Sequence, residues 1–165
     1  SPLVLYYLGS HPDGYGRYLH EVLEQDDLWL EVTHNYIQWL FPNRLPSRVT
    51  PDAPCLTDSD IQLFNEDELL RNHLRASLHR MLAFYGLQLS ESALSLAANW
   101  DERKSNWWLQ DTHNNLRITR VLHCLTACGL RDEAEKVLNG LLHMRETDLN
   151  CGVSENAFQY WKEAI

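Results

Sequence analysis

The feature that most restricts this chain is the run from Trp29 to Pro42, WLEVTHNYIQWLFP, where apolar residues recur on more than one helical face. Leu28, Val32, Tyr36, Trp39 and Leu40 step at i, i+4, i+8, i+11 and i+12, and Leu30, Thr33, Ile37 and Phe41 form a second stripe beside them. A helix that is apolar on nearly every side has to be surrounded by other elements. The run is shorter than the ~20 apolar residues that a membrane crossing needs, and Glu31, His34, Asn35 and Gln38 interrupt it. The spacing therefore predicts a buried central helix over residues 28–41, closed by Pro42, whose ring cannot continue it.

Segments on either side carry helical periodicity of their own. Tyr15, Tyr18, Leu19, Val22 and Leu23 predict an amphipathic helix ending near Gln25. Thr57 and Asp60 resemble a capping box with Asp in the place of Glu, and Leu70, Leu74, Ser77, Leu78, Met81 and Tyr85 form a long stripe that Gly86 is placed to end. Thr112 or Asn114 can cap a helix that turns Ile118, Val121, Leu122 and Leu125 inward and closes at Gly129. Arg131 to Thr147 reads as a further helix, although Gly140 inside it costs ~1 kcal/mol relative to alanine. Ser154 caps a last helix carrying Ala157, Trp161 and Ile165. The opening LVLYYL is compatible with a short helix or a strand, residues 43–55 with Pro46, Pro51 and Pro54 read as an irregular loop, and residues 88–108 carry the weakest pattern, with helices over 90–98 and 101–108 as one reading. No Asn-Gly or Asp-Gly hairpin turn is present. The expected fold is all-α: one compact multi-helix domain over residues 1–165, with about seven helices around the central one.

Composition narrows the partners. The chain has 23 acidic and 14 basic residues, a formal charge of −9, which argues against nucleic acid, whose phosphates are met by Lys and Arg. The same balance disfavours adhesion to anionic lipid, and no transmembrane segment is expected, while peripheral membrane association is left open. None of the four cysteines forms a C-x-x-C pair, so they read as small buried apolar groups in a reducing, intracellular compartment. The chain opens on Ser1 rather than Met, the pattern of an excised or trimmed domain.

No phosphate-cradling glycine loop, nucleophile elbow or H-E-x-x-H motif occurs, and the eight histidines are scattered, so neither a metal nor a cofactor is expected. His113, Arg117 and Arg120 share one face of a predicted helix at i, i+4 and i+7. Cations near a helix N-terminus oppose its dipole by ~0.3–1 kcal/mol each, so they call either for carboxylate partners or for a recess that takes a carboxylate or phosphate. Tyr36, Trp39, Trp100, Trp107 and Trp108 suit either a packed core or an aromatic pocket.

Five stretches carry a family resemblance: HNYIQWLFP at 34–42, LTDSDIQLF at 56–64, RMLAFYGLQL at 80–89, NWDERKSNW at 99–107 and THNNLRITRVL at 112–122. In that order they resemble the conserved N-terminal region of the opioid growth factor receptor family. The resemblance implies a predominantly helical domain. It also implies a non-catalytic receptor-like module whose animal members take a short enkephalin peptide and reside around the nucleus. It carries no catalytic residues. Combined with the spacing, it makes Tyr36, Trp39, His113, Asn114, Asn115, Arg117 and Arg120 the candidate ligand contacts, with a peptide or protein segment as the partner. The alternatives are an enzyme that joins His34 or His113 to an arginine, and a scaffold that pairs through an exposed aromatic patch.

Overall fold

A computed structural model describes residues 1–165 and contains ten α-helices and one two-stranded sheet. Backbone proximity divides it into two compact units, residues 1–77 with 127–129, and residues 78–126 with 130–165.

The first unit contains α1 (Pro2–Tyr7), α2 (Leu19–Leu23), α3 (Asp27–Val32), α4 (Ile37–Leu40), α5 (Asp58–Glu66) and the beginning of α6 (Glu68–Tyr85). The expected continuous helix over 28–41 is two short helices instead. Thr33 turns extended (φ −95°, ψ 129°) and ends α3. The physical reason lies in the sequence THN at 33–35: a β-branched residue followed by two weak helix formers, with Asn able to bond elsewhere. Asn35 takes up that option, accepting from Arg17 through its side-chain oxygen at 3.0 Å and its carbonyl at 3.2 Å. The chain then folds back, and the Tyr36 hydroxyl donates at 2.8 Å to the carbonyl of Leu30, one of the acceptors that a helix end leaves unpaired. The consequence for burial is plain: Leu28 and Val32 are 69% and 61% exposed, whereas Tyr36, Leu40 and Phe41 are fully buried.

The helix expected from Tyr15 starts later, at Leu19, because Asp13 organises a turn ahead of it. Its buried carboxylate accepts from the backbone N–H groups of Tyr15 (2.8 Å) and Arg17 (3.0 Å) and from Arg17 Nε (2.8 Å). The Arg17 guanidinium then lies over the Tyr15 and Trp29 rings, 5.1 and 5.3 Å from their centroids. Around α1, the Tyr6 ring stands edge-on to Trp39 and the Tyr7 ring edge-on to Phe64, each at 5.4 Å. The Tyr7 hydroxyl meets the Leu40 carbonyl. Thr57 caps α5 with Asp60 returning the bond, as the spacing predicts.

The second unit holds the rest of α6, then β1 (Leu87–Leu89), β2 (Leu94–Leu96), α7 (Trp100–Arg103), a 3-10 turn (Lys104–Asn106), α8 (His113–Ala127), α9 (Arg131–Thr147) and α10 (Glu155–Glu163). Gly86 ends α6 with φ +81°. The helix read over 90–98 is a hairpin instead, antiparallel with Leu87 opposite Leu96 and Leu89 opposite Leu94. Ser90 explains the difference: its hydroxyl accepts from the backbone of Ser92 (3.3 Å) and Ala93 (3.2 Å), a local turn that competes with helix. Part of this unit's core is a cluster of aromatic rings, beside an aliphatic part that includes Leu82, Val121, Leu122 and Leu141. Trp107 touches the rings of Tyr85, Trp100, Trp108 and Trp161, and Phe158 joins Trp108 to Trp161.

The glycine within α9 has its reason in β2. A Cβ on Gly140 would stand 2.5 Å from the Leu94 Cβ. Helix propensity alone predicts that Gly140→Ala gains ~1 kcal/mol; the clash predicts a net loss of roughly 1–3 kcal/mol. Urea denaturation decides between the two by the sign of the change.

Candidate functional site

The N-terminus of α8 is built on neutral polar side chains that fold back on the segment before it. The Thr112 hydroxyl donates to the Asn106 carbonyl at 2.7 Å and accepts from the Asn114 N–H at 3.2 Å, capping the helix. Asn115 returns the bond, its Oδ1 accepting from the Thr112 N–H at 2.6 Å while its Nδ2 donates to the Trp107 carbonyl at 3.2 Å. The Asn114 amide donates to the Asn106 carbonyl at 3.1 Å and its oxygen accepts from Arg117 Nη1 at 3.4 Å. The carbonyl of Asn115 accepts from the indole N–H of Trp161 at 3.1 Å, which fastens α10 to α8. Asn114, Asn115 and Arg117 are 0%, 6% and 6% exposed. Buried amides with both ends bonded set a backbone rigidly, since breaking one bond strands the other partner.

Beside this frame runs an open groove of about 290 Å³ between one face of α8 and the start of α10. Thr112, Asn115, Leu116 and Thr119 line it from one side, and Asn156, Ala157 and Tyr160 from the other. Leu116 is 69% exposed and Tyr160 57%, which puts two large apolar groups on an otherwise polar surface. Asp111 also lines the groove, its Oδ1 accepting from the Ser154 N–H at 2.8 Å, while Ser154 Oγ caps α10 by accepting from the Ala157 N–H at 3.1 Å.

Of the candidate contacts, Asn115 lines this groove and Asn114 and Arg117 lie behind it. His113, exposed, and Arg120, half-buried, sit on the face of α8 that Arg117 shares, roughly 100° round the helix from the groove. The charge of Arg120, after the larger effect of burial, holds the His123 imidazole below its usual value. Tyr36 and Trp39 belong to the first unit, where Tyr36 is fully buried and Trp39 is 8% exposed, its ring lying along Gly14. His34 is exposed in the break between α3 and α4. Sequence reasoning passed over Leu116, Tyr160 and Asp111. The available signal was Leu116 itself, an apolar residue off the inward stripe of Ile118, Val121, Leu122 and Leu125.

The loop after α9 bears on the frame through Asp148. Its Oδ2 accepts from the Trp108 indole N–H and its Oδ1 from the Asn150 N–H, both at 2.9 Å. The Asn150 N–H, and after it the indole, hold this carboxyl below the usual carboxylate range. A carboxyl depressed in the folded state stabilises above its unfolded pKa of about 4, and the contribution is lost as pH falls through the folded value. Asp148→Asn is therefore expected to flatten the acid limb of stability, measured by urea melts between about pH 7 and pH 3.

Comparison with known proteins gives a consistent result. The opioid growth factor receptor (OGFr) conserved region matches residues 6–165. The human opioid growth factor receptor is 36% identical over 145 residues, covering 82% of this chain and 20% of that protein. The mouse receptor is 41% identical over 104 residues, covering 61% and 16%. The mouse opioid growth factor receptor-like protein 1 is 36% identical over 161 residues, covering 93% and 34%. The chain thus spans between 16% and 34% of the length of these relatives. No solved structure is significantly similar to it. With the family's conserved region matched from Tyr6 to the last residue, the chain belongs to the opioid growth factor receptor family.

Proposed function

We propose that this chain is a non-catalytic module that binds a peptide or protein segment, and that the segment lies in the groove between α8 and α10. The observation that carries the reading is the groove itself: exposed Leu116 and Tyr160 set among Thr112, Asn115, Thr119 and Asn156. A small apolar floor with convergent hydrogen-bonding groups is the usual composition of a binding site. The Thr112, Asn115 and Thr119 side chains are bonded within the frame, so the Asn156 amide and the Tyr160 hydroxyl are the polar groups that meet a peptide backbone, which offers a donor and an acceptor at each residue. Asn114 and Arg117 act from behind, by holding the first turns of α8 in place. His113 and Arg120 flank the segment where it leaves the groove. The relatives bear the name receptor, which accords with ligand binding. An enkephalin-like pentapeptide is the first ligand to test, and the net charge of −9 makes nucleic acid a poor partner. No helix is long and apolar enough to cross a membrane, and we place the module inside the cell, at or near the nucleus.

The test is titration of the chain with the pentapeptide, following tryptophan fluorescence. Saturable binding is expected, weakened about tenfold or more by Leu116→Glu, an anchor loss of at least 1.4 kcal/mol. Leu116 is 69% exposed, so the variant should unfold at the wild-type temperature. No saturable change at millimolar peptide, or equal affinity in the variant, refutes the groove as the site.

A further inference from the structure

We infer that the groove selects a segment carrying a cationic group next to an apolar side chain, and that Asp111 is the residue that reads the charge. The inference rests on the groove being the binding site and goes on to state what chemistry it prefers. Nine residues line the groove, and Asp111 is the only charged one among them. The others are hydroxyls, amides and the apolar groups of Leu116, Ala157 and Tyr160.

Two features make Asp111 more than a surface acid. The first is that it is held. Its Oδ1 accepts the Ser154 N–H at 2.8 Å, so the carboxylate is fixed at the mouth between the caps of α8 and α10. A pre-positioned charge loses little freedom when a partner arrives, unlike a long mobile side chain. The second is that no Lys or Arg pairs with it, whereas Asp13, Asp58, Glu68, Asp101, Glu135 and Glu155 each hold a cationic partner. The Ser154 N–H uses one oxygen and leaves the other for a ligand. An anionic segment meets this carboxylate with repulsion, and the surrounding net charge of −9 adds to it. An ammonium or guanidinium meets attraction at one end of the groove while a ring or aliphatic group covers Leu116 and Tyr160.

The experiment uses the whole chain and two forms of one aromatic pentapeptide, with a free amino terminus and with an acetylated one. In wild type the free form should bind about three- to fivefold more tightly, the range of a solvent-accessible ion pair. Raising the salt should shrink the difference. In Asp111→Asn the two forms should bind alike, because the amide oxygen still accepts from the Ser154 N–H while the charge is gone. That outcome supports the inference, and unchanged thermal unfolding of the variant shows that the tether is kept. Should that variant not fold, Asp111→Ser supplies the same comparison, and a preference for the free form that survives loss of the carboxylate overturns the assignment to Asp111. Equal affinity of the two peptide forms for wild type, with Leu116→Glu still losing binding, overturns the charge reading and leaves the groove standing. Absence of binding by either form, or binding indifferent to Leu116→Glu, removes the groove and the charge reading together.

Discussion

Replacing Gly152 with alanine should destabilise the second unit by on the order of 4 kcal/mol, above the usual range for a small-to-large change. A Cβ at this position would stand 1.8 Å from the carbonyl oxygen of Leu109 and 2.5 Å from its carbon. Both are backbone atoms, so no rotamer change removes the conflict. Moving Gly152 away breaks the hydrogen bond from its N–H to the Trp108 carbonyl, 2.9 Å long. It also drags Ser154 away from Asp111 and with it the cap of α10. Gly14 provides the comparison. There a Cβ would make ordinary contact with the Trp39 ring at 3.4 Å, and alanine should change stability by no more than about 1 kcal/mol. Denaturation curves for both variants check the contrast. If the Gly152 variant is as stable as wild type, the close approach of residues 108–110 to 150–153 is wrong, and the mouth of the groove with it.

The same region shows what the sequence could and could not disclose. Helices whose ends carry their own chemistry were legible: Ser154 caps α10, Gly86 ends α6, and α9 runs from Arg131 to Thr147 as the periodicity predicts. The break in 28–41 was not, because apolar residues on two faces suit one long helix or two short ones equally. The decision is made by Arg17, far off in sequence, which draws Asn35 out of helical geometry. The hairpin was partly legible, since LQLSESALSL alternates at both ends, but the turn lacks the Asn-Gly or Asp-Gly signature and is closed by Ser90. In THNNLRITR the sequence offers Thr112 or Asn114 as a cap and puts the cations His113, Arg117 and Arg120 on one face. Spacing shows which of them share a face, but not whether that face meets solvent or the carbonyls of Asn106 and Trp107. The groove needed α10 as its second wall, and no pattern within α8 announces a neighbour that arrives forty residues later.

Trp107→Ala is expected to cost roughly 3–5 kcal/mol, the range for emptying a buried aromatic site. The indole is fully buried and contacts four other rings, those of Trp108 at 5.3 Å, Tyr85 at 5.5 Å, Trp100 at 5.9 Å and Trp161 at 6.5 Å. Those neighbours come from α6, α7, the segment before α8, and α10, so their collapse into the space is restrained from several directions. The cost has two parts that a second variant separates. Trp107→Phe keeps a ring in the site but removes the Nε1–H that donates to the Tyr85 carbonyl at 2.9 Å. A buried carbonyl left without its donor costs ~1–3 kcal/mol, and the smaller ring adds a modest void. The phenylalanine variant should therefore fall between wild type and alanine. Its groove affinity should nonetheless equal that of wild type, because Trp107 holds Asn115 through its backbone carbonyl and not through its indole. A loss of peptide affinity in Trp107→Phe out of proportion to its stability would show that the ring itself shapes the groove, and the division between aromatic core and polar frame would not hold.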